Sequence, residues 1–422
     1  MVSTDSLIRI FILFALLRPN FYMVSPLISR ALEGTTTVLL ILLLVHLSTS
    51  RTNPWRIRTT HLAFLTVSYC LIAITYSAAS LNYALGIEDA AEWLRPLLLG
   101  APFLLGYYYA RDWAHFRSVL VLIGGIGFIH LFVALLQASG VDGGLTYWLY
   151  TSPNLYEQGR PGGVGYSHTE YAALILLSAL AYFWLYVTER RRSFLWYGLI
   201  LFFFSPLSAS KAGVVLAAIF ACLCLWKVVQ SAPFYIKISA IAVIAIVSAI
   251  VLYLFVQIIT DSYIYKGFES LLDYRKTKNE SITNRLNDLQ VLYHIWQQFD
   301  YRILIGSSPL RLYSDESYIE ISTINFFFRF GVLGFALYYW FILQPLFFRR
   351  YVRSGWLLAA FSIALFAADW TANVSETIKF SIGYAFLLGA FLRQVHIGKL
   401  ARSEADAAEQ QSGPLTPSEA HA

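Results

Sequence analysis

Polar residues in this chain fall in short clusters, and long apolar stretches run between them. About 20 mostly apolar residues in a helix cross a hydrocarbon core of about 30 Å. Twelve stretches qualify as candidate spans, at 7–28, 35–49, 60–80, 93–110, 116–138, 169–187, 194–209, 211–229, 235–259, 321–345, 354–372 and 378–395. The first is interrupted by Arg9, Arg18, Pro19 and Pro26, and the seventh and eighth nearly touch, which predicts a tight re-entrant turn at Ser208–Lys211. Two segments depart from the pattern. Residues 139–168 are glycine-rich and aromatic, and residues 260–320 hold sixteen charged residues. Within the latter, Leu286, Leu289, Tyr293 and Trp296 recur at spacings of three and four, which predicts a helix over Asn284–Phe299 lying on the membrane face or against the spans. The expected architecture is all-α, a polytopic membrane protein with about 12 transmembrane helices and a large external loop carrying short helices. One transmembrane domain covers 1–402, including external loops 139–168 and 260–320. The Ala-, Ser- and Glu-rich residues 403–422 are expected to form a disordered cytoplasmic tail.

Composition strengthens this reading. Of 422 residues, 58% are apolar and 13% charged, at a mean hydropathy of +0.59, whereas soluble proteins carry about a quarter charged residues. Too few polar groups remain to cover a soluble globule. The net charge of +6 reflects membrane topology rather than nucleic-acid binding. With the N-terminus inside, the cytoplasmic segments carry Arg51, Arg56, Arg58, Arg111, Arg117, Arg190, Arg191, Arg192, Lys227, Lys237, Arg349, Arg350, Arg353, Arg393, Lys399 and Arg402. The short loops on the other face hold only Arg30, Lys211 and Lys379, and one of them is acidic through Glu88, Asp89 and Glu92. This is the positive-inside bias, and it puts both termini in the cytoplasm. Cys70, Cys222 and Cys224 lie in apolar runs without metal-ligand spacing and read as buried thiols. The first apolar run has no small-residue cleavage site and reads as a retained span.

Charge outside the cytoplasmic segments needs a reason, because a charged residue at the centre of a span costs about 2.5–3.5 kcal/mol to insert. Four places on the external face stand out. Arg160 precedes Gly162, Gly163 and Gly165 and is followed by His168; such glycines let backbone amides approach a ligand, although a flexible loop with a snorkelling arginine explains the segment equally well. Ser208, Ser210 and Lys211 sit at the tip of a hairpin, where they could bind an oxyanion or merely mark the water boundary. Arg285, at the start of the loop helix, is followed by Arg302 and Arg311. Guanidinium suits bidentate phosphate binding, and a helix N-terminus adds positive potential, though a solvated face would look the same. Finally, Asp315, Glu316 and Glu320 cluster before the tenth span, where a carboxylate could deprotonate a hydroxyl or pair with the arginines. Arg329 follows within that span, with Glu320 or Asp369 as its expected partner. The chain contains no Walker motif, GxGxxG after a strand, metal-ligand cluster or DxD-like pair, so neither ATP nor a nucleotide-sugar donor is indicated.

These four segments, in this order on a twelve-span frame, resemble the O-antigen polymerase and ligase superfamily, the Wzy-type polymerases and the ligases of bacterial envelope polysaccharides. Arg160 with its glycines and Ser167-His168 resembles the family's external Arg–Gly segment. Ser208–Gly213 resembles its Thr/Ser-x-Ser-Arg-Gly hairpin, with lysine at 211 in place of arginine. Arg285 followed by Leu304-Ile305-Gly306 resembles the Arg…Leu-Leu-Gly-x-Gly stretch. Asp315–Tyr318 with Phe330–Gly334 resembles the His/Asp-Asn-x-Tyr-Leu…Gly-Leu-x-Gly stretch; Asp315 and Glu316 stand where ligases carry histidine, which tilts the resemblance toward a polymerase.

The resemblance implies a GT-C-like, metal-independent glycosyltransferase that uses no cofactor. It would act on an undecaprenyl-diphosphate-linked glycan at the periplasmic face of a bacterial inner membrane. Asp315, Glu316 and Arg285 would be catalytic, and Arg160, Lys211, Arg311, His168, Tyr318 and Arg329 would bind the diphosphate or sugars. Tyr147, Trp148, Tyr150 and Tyr156 could stack on sugar rings. The lipid bilayer, a chain-length regulator and a flippase are the implied partners, with no nucleic acid among them. Two alternatives stand beside this: a ligase of the same superfamily, and a transporter or flippase for the lipid-linked glycan. A transporter would concentrate its charges near the bilayer midplane.

Overall fold

The computed structural model describes residues 4–49, 99–152, 156–157, 159–231, 322–370, 374–375 and 377–411, with Gln297 and Leu304 as isolated positions. Helix α1 is Thr4–Leu17, α2 Pro26–Thr49, α3 residues 99–109, α4 Trp113–Ser139, α5 Leu145–Tyr150 and α6 His168–Glu189. Then come α7, Arg192–Phe204, α8, Lys211–Ser231, α9, Ser322–Phe348, α10, Trp356–Asp369, and α11, Ile378–Gln411. No strand occurs among the described residues. Five of these helices are long and apolar enough to cross a membrane by length and composition, at Pro26–Thr49, Trp113–Ser139, His168–Glu189, Phe330–Tyr351 and Ile378–Ala407. They make this a membrane-embedded protein, all-helical among the described residues.

Several predicted spans change their boundaries for local reasons. The first does not run to residue 28: α1 stops at Leu17, since a residue preceding proline avoids helical geometry and Pro19 follows Arg18. Helix α2 starts at Pro26 rather than residue 35, because proline is preorganised for the first helical position. The seventh span shrinks to the 13 residues of α7, a rise of about 20 Å. Helix α10 has 14 residues. Helix α9 is interrupted at Gly331, whose φ of 64° and ψ of −169° are non-helical. At the C-terminal end, α11 continues to Gln411 and takes in the start of the segment expected to be disordered. Predicted spans 60–80 and 235–259, and nearly all of loop 260–320, lie outside the described residues. Of the cysteines described, Cys222 is exposed and Cys224 half-buried, both as free thiols.

Helix α6 forms the centre of the bundle and is buried along almost its whole length. Its small residues permit close crossings, as expected where packing rather than hydrophobicity joins helices in lipid. A Cβ on Gly127 would stand 2.4 Å from Ser178 Cβ, and one on Gly213 would stand 2.3 Å from Ala172 Cβ. At the α4 crossing, the Ser178 hydroxyl donates to the Ile123 carbonyl at 2.8 Å. Trp184 is fully buried and donates to Arg353 O at 3.1 Å, while Arg117 pairs with Glu189 and Gln394 donates to Ala110 O. These contacts gather the arginine-rich segments 111–117, 189–192 and 349–353 at one end of the bundle. The described residues of segments 140–167, 205–210 and 370–377 lie at the other.

Candidate functional site

Arg160 is the first of the expected residues to find its place, and the hairpin after α7 is what it grips. Pro206 starts a single 3-10 turn, Ser205–Ser208, and Ala209 closes it at a φ of 52°. Ser210 then caps α8, its Oγ accepting from Gly213 N at 3.1 Å, as serine does at helix starts. Arg160 Nε and Nη2 donate to Ser208 O at 3.1 and 2.9 Å, and Nη2 also donates to Ala209 O at 2.7 Å. Ser208 Oγ donates to the carbonyl of His168 at 2.9 Å. The predicted tight turn between these two apolar helices is therefore present, and two of the four chemical segments meet there. Ser208 already spends its hydroxyl proton on that carbonyl, which weakens its reading as an oxyanion donor. Lys211 opens α8 next to this turn; its side chain lies outside the described residues.

The glycine-rich segment differs from both of its sequence-based readings. It is neither a flexible loop nor a cradle of free amides, because residues 161–165 are buried and the N–H groups of Gly162, Gly163 and Val164 are taken by side chains from below. Gln137 Oε1 accepts from Gly162 N at 2.9 Å and Gly163 N at 2.8 Å. The other half of that amide, Nε2, donates to Thr146 O at 3.2 Å and Gly163 O at 3.1 Å. His130 Nδ1 accepts from Val164 N at 2.8 Å, which fixes the neutral tautomer with its proton on Nε2. Tyr166 N donates to Glu170 Oε2 at 2.6 Å, and Gly165 N to Gly162 O at 3.0 Å. Glycine is required at 163: its φ is 59°, and a Cβ there would lie 2.7 Å from His130 Nδ1.

Three buried charged residues lie beneath this loop, and the sequence reading missed their role. Lys379, counted there as a loop cation, is 1% exposed; Glu170 and Arg18 are 2% and 4% exposed. Lys379 Nζ donates to Arg18 O at 2.6 Å and to Val164 O, and lies 5.4 Å from the Tyr150 ring centre. The backbone N–H of Lys379 donates to Glu170 Oε1 at 2.7 Å. One ammonium thus ties together the end of α1, the glycine loop, α5 and the start of α11. Among the described residues, Arg18 Nε and Nη1 have no hydrogen-bond partner; Glu33 and Glu170 supply the attractive charge around it. One sequence signal did point here: Ser167-x-x-Glu170 is a capping-box pattern. Ser167 Oγ accepts from Glu170 N at 3.1 Å as that pattern requires, but the carboxylate turns to Tyr166 and Lys379 instead of back to the cap.

The aromatic candidates divide by burial. Tyr147 is buried, packing edge-on against Tyr156 at 5.6 Å, and Tyr150 faces Lys379. Trp148 and Tyr156 are exposed. Asp142 organises this stretch, accepting from Gly144 N at 3.1 Å and Thr146 N at 2.7 Å. Partial burial pushes the Asp142 pKa up, but the hydrogen bonds from Thr146 and Gly144 outweigh it and hold the carboxyl below its ordinary value. Burial, reinforced by the Asp142 charge, pushes the Tyr147 phenol up to about 12.

Asp369 is fully buried, accepting from Tyr339 OH at 3.2 Å and from Val374 N and Ser375 N at 3.3 and 2.9 Å. Arg329 lies in α9 two residues before the break at Gly331; its side chain is outside the described residues, as are Arg285, Arg302, Arg311, Asp315, Glu316, Tyr318 and Glu320. Among the described residues, no group of three or more His, Cys, Asp or Glu side chains could hold a metal ion. No family model and no curated protein matches this chain.

Proposed function

We propose that this protein is a metal-independent membrane glycosyltransferase that polymerises undecaprenyl-diphosphate-linked oligosaccharide repeat units, as an O-antigen or exopolysaccharide polymerase. In this reading an acceptor sugar hydroxyl attacks the anomeric carbon of the donor glycan. The bond from that carbon to the diphosphate oxygen breaks, and the lipid diphosphate departs. Asp315 or Glu316 takes the hydroxyl proton. Arg160, Lys211 and Arg285 stabilise charge on the leaving diphosphate, an effect worth several kcal/mol in a preorganised site. Arg311, His168, Tyr318 and Arg329 bind the substrate, and of the four aromatic candidates between 147 and 156, Trp148 and Tyr156 are exposed enough to receive a sugar. The protein would sit in a bacterial inner membrane with both termini cytoplasmic and this site periplasmic. A chain-length regulator and a flippase would work beside it.

The observation that carries this reading is the grip of Arg160 on the Ser208–Ala209 carbonyls. It joins two segments, 48 residues apart, whose order in the chain suggested this chemistry. Those carbonyls fix where the guanidinium sits beside the hairpin. The buried charges also favour an enzyme over a transporter. Glu170 and Lys379 lie in the first turns of α6 and α11, and Arg18 just beyond α1, all at one end of the bundle rather than at the midplane where transporters bind.

Purified protein given lipid-diphosphate oligosaccharide should yield a ladder of longer glycans, and Arg160→Ala should abolish or strongly slow it. Transfer to a single acceptor without a ladder would identify a ligase. No transfer at all, with glycan-lipid crossing a vesicle membrane, would identify a flippase.

A further inference from the structure

We propose that Lys379 is a positioning residue for the transfer reaction, acting through the glycine loop to hold Arg160 against the Ser208–Ala209 turn. The inference rests on the glycosyltransferase reading above and extends it to a buried group which that reading leaves without a task.

The argument begins with what the loop lacks. Residues 161–165 contain three glycines, so the chain here has wide conformational freedom and only the side chains of Pro161 and Val164 with which to pack itself in place. Its conformation is imposed from outside by four side chains. Gln137 and His130 of α4 hold the amides of Gly162, Gly163 and Val164, and Glu170 holds that of Tyr166. The Lys379 ammonium takes the Val164 carbonyl. Lys379 differs from the other three because its second acceptor, Arg18 O, lies just beyond the end of α1, and its own amide is fixed by Glu170. It therefore references the loop to the end of α1 and to α11 together, whereas His130 references it to α4 and Gln137 to α4 and α5. Val164 is four residues from Arg160, a short reach along a chain whose intervening residues are buried. A shift at Val164 moves the arginine relative to the hairpin.

A buried ammonium is a costly way to hold one carbonyl if stability is the only benefit, since an apolar side chain of similar volume often serves as well or better. Its retention fits a requirement for fixed geometry. Misplacing a catalytic group by about 1 Å can cost about 100-fold in rate.

The test uses the full-length protein in lipid nanodiscs, with Lys379→Met and, to avoid stranding the carboxylate, Glu170→Gln/Lys379→Met. Hydrogen exchange at residues 162–166 should quicken in both variants while exchange in the middle of α6 stays slow. With a lipid-diphosphate oligosaccharide as substrate, kcat should fall about 100-fold with the acceptor KM nearly unchanged. Adding Arg160→Ala to Lys379→Met should slow turnover no further than the slower single variant. Unchanged exchange at 162–166 would overturn the proposal whatever the activity, and so would effects of the two substitutions that multiply. Wild-type protein that makes neither ladder nor single transfer would sink the glycosyltransferase reading itself, whereas the exchange measurement decides separately whether Lys379 holds the loop.

Discussion

Arg117 and Glu189 at the arginine-rich end, and Lys379 and Glu170 at the opposite end, are both couples of opposite charge between helices, yet they are built differently. Arg117 Nε meets Glu189 Oε1 directly at 2.5 Å with the arginine 38% exposed, and around it Asp5 bridges His115 at 3.1 Å and Arg111 at 3.6 Å. Water shares in all of these contacts, so they can rearrange and are screened by salt. At the other end, the two side chains are almost completely buried and each is satisfied mainly by backbone: Glu170 by two amides and Lys379 by two carbonyls. There charge does not decorate a surface. It ties off the polar backbone of a loop that contributes almost no side chains of its own.

The contrast can be broken most severely at Glu170. Replacement by alanine leaves the amides of Tyr166 and Lys379 without their acceptor and the ammonium of Lys379 without its nearby negative charge. Breaking a buried pair costs about 3–5 kcal/mol, and thermal unfolding in detergent should show a loss of that order. Gln137→Leu comes next. It keeps the volume but leaves two buried N–H groups unmet and removes a donor from two carbonyls, at about 1–3 kcal/mol for each buried group left unsatisfied. Hydrogen exchange at Gly162 and Gly163 should report it locally. At the exposed end, Arg117→Ala should cost less than about 1 kcal/mol, and a loss as large as that of Glu170→Ala would erase the distinction. The smallest effect belongs to Asp142. Its pKa is held below the ordinary 3.8, so its contribution is fully present above that value and lost as pH falls through the lower, folded-state one. Near neutral pH Asp142→Asn should keep most of the stability of the loop, and it should remove only the part of the acid unfolding that lies below about pH 4.

The same contrast explains how much was legible in the sequence. The apolar runs announced a helical membrane protein, because a span must satisfy its backbone internally whatever its neighbours. The turn at Ser208–Lys211 was equally plain, since a serine-rich break with a lysine between two apolar runs admits little else. Helix ends at Pro19 and Pro26 were visible as interruptions, but the stretch was read as one weak span rather than a helix, a turn and a second helix. Lys379 counts in the sequence only as a cation of a short external loop: its position beside an apolar run says nothing about the carbonyls that reach it from residues 18 and 164. Gln137, inside an apolar run, gave no sign that four backbone hydrogen bonds converge on it. Such polar hubs serve distant backbone groups, and those groups leave no trace in side-chain pattern. The expected carboxylates and arginines of loop 260–320 lie outside the described residues.

Helix α11 touches both ends of the bundle. Lys379, in its first turn, is held by α1 and the glycine loop, while Gln394 donates to Ala110 O at 2.8 Å among the arginine-rich segments. The two residues are separated by about 22 Å of unbroken helix and by about 60° of rotation. Helical phase therefore fixes both attachments together. One alanine inserted near Leu387 would turn everything beyond it by about 100° and advance it by about 1.5 Å, so that only one of the two anchors could engage. The helix would behave as a key cut at both ends, and the end that won would reveal which lock is tighter.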